Sequence, residues 1–231
     1  MKMNGITKNF LWTAAAGCIL FISITILPMT QNTALGDEQK PIQLSKPQIT
    51  GNPLMQILAK RSSAREFSSA PLPVDILSNM LWAASGINRP ETGKRTAPSA
   101  NNRQEVDVYV ATAAGLYLYD AKSNLLKPIL PEDIRGMTGA QAFVKEAAVN
   151  LIYVADYSRM NPSLSDDVKN TYASAGAGFI SENVYLYCAS EGLATVVRAL
   201  IDRPALAKVM KIRPDQKIIL AQSVGYPKQQ K

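Results

Sequence analysis

The chain has 231 residues, 47% hydrophobic and 19% charged, a balance that can bury a core in one or two domains. Its net charge is +7, yet the basic residues are scattered, and the densest group (Lys60, Arg61, Arg65) suits a small anion and argues against a nucleic-acid partner. No histidine is present, which excludes Ser-His-Asp and Cys-His nucleophilic machinery, argues against a metal site of the usual zinc type, and implies a borrowed cofactor for any hard chemical step.

From the N-terminus, Lys2 and Lys8 precede an apolar run over residues 10–27, broken by Pro28, and Ala34-Leu35-Gly36 offers small residues to a signal peptidase. Residues 1–36 therefore read as a signal peptide, with a membrane anchor as the alternative. Either reading exports the rest of the chain to a periplasm or cell envelope and makes the membrane a partner only through this segment. Residues 37–52 read as a linker, interrupted by Pro41, Pro47 and Gly51. Residues 53–231 read as one domain.

Within that domain Asn52-Pro53 predicts a helix start, with Asn52 as N-cap. A second helix follows Pro73, with Val74, Ile76, Leu77, Met80, Leu81 and Ala84 on its apolar face and Gly86 at its end. Residues 88–105 are a polar loop. Val106, Val108 and Val110 alternate with other residues as in a strand, and Gly115 turns the chain into an antiparallel neighbour containing Tyr117 and Tyr119. A helix is expected over residues 140–148, a strand over 149–154, and a polar candidate lid over 156–170. Residues 172–191 form the longest helical candidate, where Ala175, Gly176, Ala177 and Gly178 invite close approach by another helix. A last strand spans 217–224. The pattern is α+β, one mixed sheet enclosed by helices.

Two segments carry the chemistry. Arg61-Ser62-Ser63-Ala64-Arg65-Glu66-Phe67 gathers two guanidinium forks and two hydroxyls after the first helix, a compact donor set for a phosphate. The bland alternative is a solvated turn. Pro98-Ser99-Ala100-Asn101-Asn102 precedes the Val106 strand, with small residues that let backbone approach a flat ligand; alone it is also a common polar turn. Cys188 reads as a core residue, Tyr185 and its neighbours as packing, and Asp166-Asp167 as solvated.

Together, in this order and separation, these segments resemble the nitroreductase family. So do Gly178-Phe179-Ile180 through Glu191-Gly192-Leu193, which look like its long dimer helix, and the closing Ser223-Val224-Gly225-Tyr226-Pro227. Gly115-Leu116-Tyr117 and Gly192-Leu193-Ala194-Thr195 are also similar to the branch of azoline-oxidising flavin dehydrogenases. The resemblance implies a homodimeric, FMN-dependent enzyme. Arg61, Ser62, Ser63 and Arg65 would hold the phosphate and ribityl chain. Pro98, Ser99, Ala100 and Asn102 of the other subunit would lie against the flavin ring. Val197, Arg198 and Ala199 would run beside flavin N5, and Lys228 stands in for a terminal basic pair. The implied reaction passes hydride from NAD(P)H through N5 to a small-molecule electron acceptor such as a nitroaromatic or quinone. The alternatives are dehydrogenation of a peptide-derived ring and an exported, non-enzymatic electron relay.

Overall fold

The structure, a computed structural model, describes residues 39–228. In chain order its strands are β1 (Ile42–Gln43), β2 (Ile87–Arg89), β3 (Lys94–Arg95), β4 (Val106–Thr112), β5 (Gly115–Asp120), β6 (Leu125–Leu130), β7 (Val149–Asp156), β8 (Ala194–Arg198) and β9 (Gln216–Gly225). The α-helices are α1 (Leu54–Lys60), α2 (Val74–Ser85), α3 (Asp166–Glu191) and α4 (Arg203–Met210). Seven strands form one sheet in the order β1-β6-β5-β4-β7-β9-β8, and β2 pairs with β3 apart from it. The expected α+β class, a sheet flanked by helices, is what the chain adopts. Every described ladder is antiparallel, however, so the strand directions are not mixed.

Strand alternation divides the core between the two faces of the sheet. On β4, Val106, Val108 and Val110 join Met80 and Leu81 of α2 and Ala177, Ile180 and Val184 of α3 in one cluster. Tyr109 and Ala111 turn the other way and join Leu206 and Met210 of α4. All eight residues of β7 are buried, as a central strand covered on both faces requires. Each fully buried Leu or Met on these faces stabilises the fold by about 1.5–3 kcal/mol.

The 26-residue α3 begins earlier than expected. Ser165 accepts a hydrogen bond from the Val168 N–H as its N-cap, and Gly192, at φ 69°, closes its far end in the left-handed region. Ala173, Gly176, Ala177, Ile180, Val184 and Cys188 recur at helical spacing on its buried face. Cys188 lies against this core, and burial, opposed by a hydrogen bond with Thr195, pushes its thiol pKa up.

Several local expectations are corrected. Pro53, not Asn52, caps α1; the Asn52 amide reaches across to the Ser190 carbonyl. Residues 37–52 are no free linker where they are described, because Ile42 and Gln43 pair with β6 and Leu44 is buried. The expected helix over 140–148 shrinks to a 3₁₀ turn at Ala142–Lys145, since the Asn150 side chain takes the Val144 carbonyl that a helix would need. The candidate lid is pinned: Arg159 binds Asp107 and Asp156, and α3 starts at Asp166. β6 went unread because Pro128 interrupts it. The ladder accommodates this with a register shift opposite Leu116 and Tyr117.

The membrane partnership expected through the N-terminal segment is also corrected. No helix among the described residues is long and apolar enough to cross a membrane. The 10–27 run, and with it the signal-peptide reading, lies outside the described residues.

Candidate functional site

At the end of α1, Arg61 leaves helical geometry (φ −56°, ψ 123°), and the chain turns along β8. Two inward residues fix this turn. The Ala64 N–H donates to the Thr195 carbonyl at 2.9 Å, and Phe67, buried against Phe143, bridges to Pro227. The alternation leaves Arg61, Ser62, Ser63 and Arg65 facing solvent. Among the described residues neither arginine has a carboxylate partner. Lys228 returns to the same turn, its backbone N–H donating to the Glu66 carbonyl at 3.3 Å.

Tyr185 of α3 joins this turn to β8. Its hydroxyl lies 2.9 Å from the Ser63 Oγ and accepts the Val197 N–H at 2.9 Å. The Arg61 guanidinium sits over its ring, 5.4 Å from the centroid. Sequence reasoning treated Tyr185 as packing. The available signal was its buried place on a helix, where a phenol needs a hydrogen-bond partner.

On β8 two of the expected residues already have partners within the chain. The Val197 N–H, a candidate donor to N5, is already committed to Tyr185. Arg198 is a buried brace: it donates to the Thr138 carbonyl at 2.6 Å, the Asn150 Oδ1 at 2.7 Å and the Ser223 Oγ at 3.1 Å. Burial without a carboxylate among these partners lowers its pKa to about 10, so it stays protonated at neutral pH. Ala199 stands exposed just beyond the strand.

The second segment is held in a left-handed backbone conformation. Asn101, Asn102 and Gln104 adopt φ of 54°, 54° and 51°, left-handed values unusual outside glycine. Gln104 holds them there. Its side chain accepts from the Arg95 Nε at 2.7 Å and donates to the Gly93 carbonyl at 2.9 Å and the Asn102 Oδ1 at 3.0 Å, while its backbone N–H donates to the Ser99 Oγ at 2.9 Å. Pro98 and Ser99 line a cavity of about 20 Å³ beside Glu105 and Gly176, large enough for one water.

The fold does not bring the two segments together within one chain. Residues 98–104 lie beside Gly176, whereas Ser63 lies beside Tyr185, nine residues and about 14 Å further along α3. A separate groove of about 1160 Å³ is lined by Phe67, Pro71, Arg135, Lys145 and Tyr226, and of the expected site residues only Lys228 reaches it. A ligand seat shared by two chains need not form an enclosed pocket in one, so this groove does not displace the Arg61 turn as the candidate site.

Over residues 58–226 the chain matches the model of the nitroreductase family. The chain belongs to the nitroreductase family. A nitroreductase-like protein of Methanocaldococcus jannaschii is 31% identical over 183 residues, covering 74% of this chain and 91% of that protein. A crystal structure of a nitroreductase-like protein from Ralstonia eutropha JMP134 superposes with a TM-score of 0.80 at 43% identity, covering 85% of this chain and 93% of that one. A chain of the E. coli microcin synthetase McbBCD complex aligns with a TM-score of 0.63, covering 89% and 84%. At 16% identity it shares the fold alone and does not assign the azoline-oxidising branch. Nitroreductase-family membership makes this chain an oxidoreductase of the FMN-associated type, from a family whose members typically bind FMN and use NAD(P)H. The residues fit such a group, since the turn presents Arg61, Arg65 and the Ser63 hydroxyl to solvent, with neither guanidinium paired to a carboxylate among the described residues.

Proposed function

We propose that this nitroreductase binds FMN between two copies of the chain and transfers electrons from NAD(P)H to a small oxidant such as a nitroaromatic or quinone. The observation that carries the reading is the Arg61 turn: two guanidinium groups without a carboxylate partner among the described residues, beside a hydroxyl that Tyr185 links to β8. Arg61 and Arg65 would bind the phosphate, with Ser62 and Ser63 beside it and Lys228 at the rim. The 14 Å offset along α3 supports a shared site, with Pro98, Ser99, Ala100 and Asn102 of a second copy closing over the ring face. The exposed Ala199 would contact the ring edge, and the buried charge of Arg198 would favour added negative charge in that neighbourhood. Bound FMN supplies the hydride exchange, for which the histidine-free chain offers no substitute.

The export expected from Lys2, Lys8 and the 10–27 run is proposed in the same sense. The deciding experiment is anaerobic addition of NADH or NADPH to the purified, flavin-loaded domain. Prompt bleaching of the flavin's visible absorbance is the expected result. Flavin that bleaches only with dithionite would remove the nicotinamide-dependent reaction and leave an electron relay.

A further inference from the structure

Resting on the reading that the Arg61 turn holds a flavin phosphate, we propose that Tyr185 is the positioning residue that orients Ser63 and Arg61 toward that anion. It acts from α3, outside the turn itself.

The direction of the hydrogen bonds leads to this assignment. The Val197 amide can only donate, so the Tyr185 oxygen accepts from it at 2.9 Å. The phenol hydrogen then needs an acceptor, because Tyr185 is only 6% exposed. Among the described residues the polar atom within reach is the Ser63 Oγ, at 2.9 Å. The opposite sense would have Ser63 donate to Tyr185 and leave the phenol hydrogen without a partner among the described residues. The favoured chain therefore runs from the Val197 N–H through the Tyr185 O–H to the Ser63 Oγ. Ser63 is used as an acceptor on its inner side and keeps its own hydrogen for a ligand on its outer, exposed side. Each donor in such a chain strengthens the next.

The ring has a second effect on the same anion. Arg61 rests over its face, 5.4 Å from the centroid, so one side chain sets both a neutral and a charged donor. The two contributions are separable. Tyr185→Phe removes the hydroxyl and keeps the ring; Tyr185→Leu removes both.

The test uses full-length protein stripped of flavin and titrated with FMN and with riboflavin, reading flavin fluorescence. Melting temperatures measured alongside keep every titration below unfolding. Tyr185→Phe should weaken FMN roughly three- to tenfold and leave riboflavin, which lacks the phosphate, unchanged. Tyr185→Leu should weaken FMN further. Adding Tyr185→Phe to Ser63→Ala should cost no more than Ser63→Ala alone, whereas Ser63→Thr, which keeps the accepting hydroxyl, should behave as wild type. Equal weakening of both flavins, or additive losses in the double variant, would reduce Tyr185 to a packing role. Loss of FMN in Ser63→Ala without loss in Tyr185→Phe would overturn the proposal while sparing the phosphate reading. Unchanged FMN binding in Ser63→Ala, Arg61→Ala and Arg65→Ala alike would overturn both.

Discussion

Arg159 donates to both carboxylate oxygens of Asp107, at 2.9 and 2.6 Å, and to the Gln104 carbonyl at 2.8 Å. It also pairs with Asp156, which takes Arg213 at 2.8 Å. Burial pushes the Asp156 carboxyl up, but hydrogen bonds from Ser158 and Arg213 outweigh it and hold the pKa below the ordinary value. At Asp120 burial likewise raises the pKa, but bonds from Lys127, Ser123 and Lys122 overcome burial and lower it to about 2. Both carboxylates release protons more readily folded than unfolded. Their stabilisation is therefore complete above about pH 4 and is lost as pH falls through the lowered values. Urea titrations from pH 6 to pH 3 should show a falling midpoint, with a shallower fall in Asp120→Asn and Asp156→Asn. A midpoint independent of pH would contradict the sign.

The unpaired guanidinium groups predict a phosphate-specific loss. A charge-assisted bond contributes on the order of 1.5–3 kcal/mol, so Arg61→Ala or Arg65→Ala should weaken FMN roughly ten- to a hundredfold. Riboflavin should bind all forms alike in calorimetry. An unaffected double variant would mark this turn as ordinary surface.

Gly178 on α3 meets nothing within 4 Å of where a Cβ would stand, and Tyr172 and Phe179 are exposed nearby. Gly178→Glu therefore fits a folded single chain. If this face seats a second copy, the variant should be monomeric by light scattering, keep its melting cooperativity and lose FMN although Arg61 and Arg65 remain. A stable monomer with one FMN per chain would place the whole site within one subunit.

Gly115 opens β5 at φ 130°, and a Cβ there would press on the Leu130 carbonyl and stand 3.1 Å from the Pro131 Cα. Neither backbone strain nor contact can relax cheaply, so Gly115→Ala should destabilise by about 2–4 kcal/mol. Denaturant unfolding measures this directly. A loss below about 0.5 kcal/mol would show that the turn adjusts.

Export predicts that protein from its native host begins near Asp37 by intact-mass measurement, following the Ala34-Leu35-Gly36 sequence. Full-length soluble protein in the cytoplasm would defeat that expectation.

The legible parts of the fold were those whose pattern and environment agree. Val106, Val108 and Val110 stand at alternate positions because all three face α2 and α3 on one side of the sheet, and Met80, Leu81 and Ala84 follow the helical period because α2 buries one stripe. β6 was hidden because its stabilising partners, β5 and β1, are brought in by tertiary pairing that offsets Pro128. The anchoring of the polar segment after β7 was not legible because Arg159 pairs with Asp107, 52 residues away, which no local window contains. At the candidate site, Arg61, Ser63 and Arg65 were visible as a cluster of donors. Tyr185 was not, since it lies 122 residues from Ser63 and its role exists only once α3 crosses behind the turn. Arg198 adds a contact set no local pattern shows: the resemblance sets its backbone beside the cofactor, and the fold commits its guanidinium to Thr138, Asn150 and Ser223.

The thiol of Cys188 faces the core from α3, sealed between helix and sheet and discouraged from ionising by burial. A thiol-alkylating reagent can reach it only in moments when that long helix lifts away. Its labelling rate becomes a stopwatch for α3 opening, set at the very element that carries Tyr185. Ligands that clamp the helix would slow it, and separation of a helix-to-helix assembly would quicken it, without any probe having to be engineered into the chain.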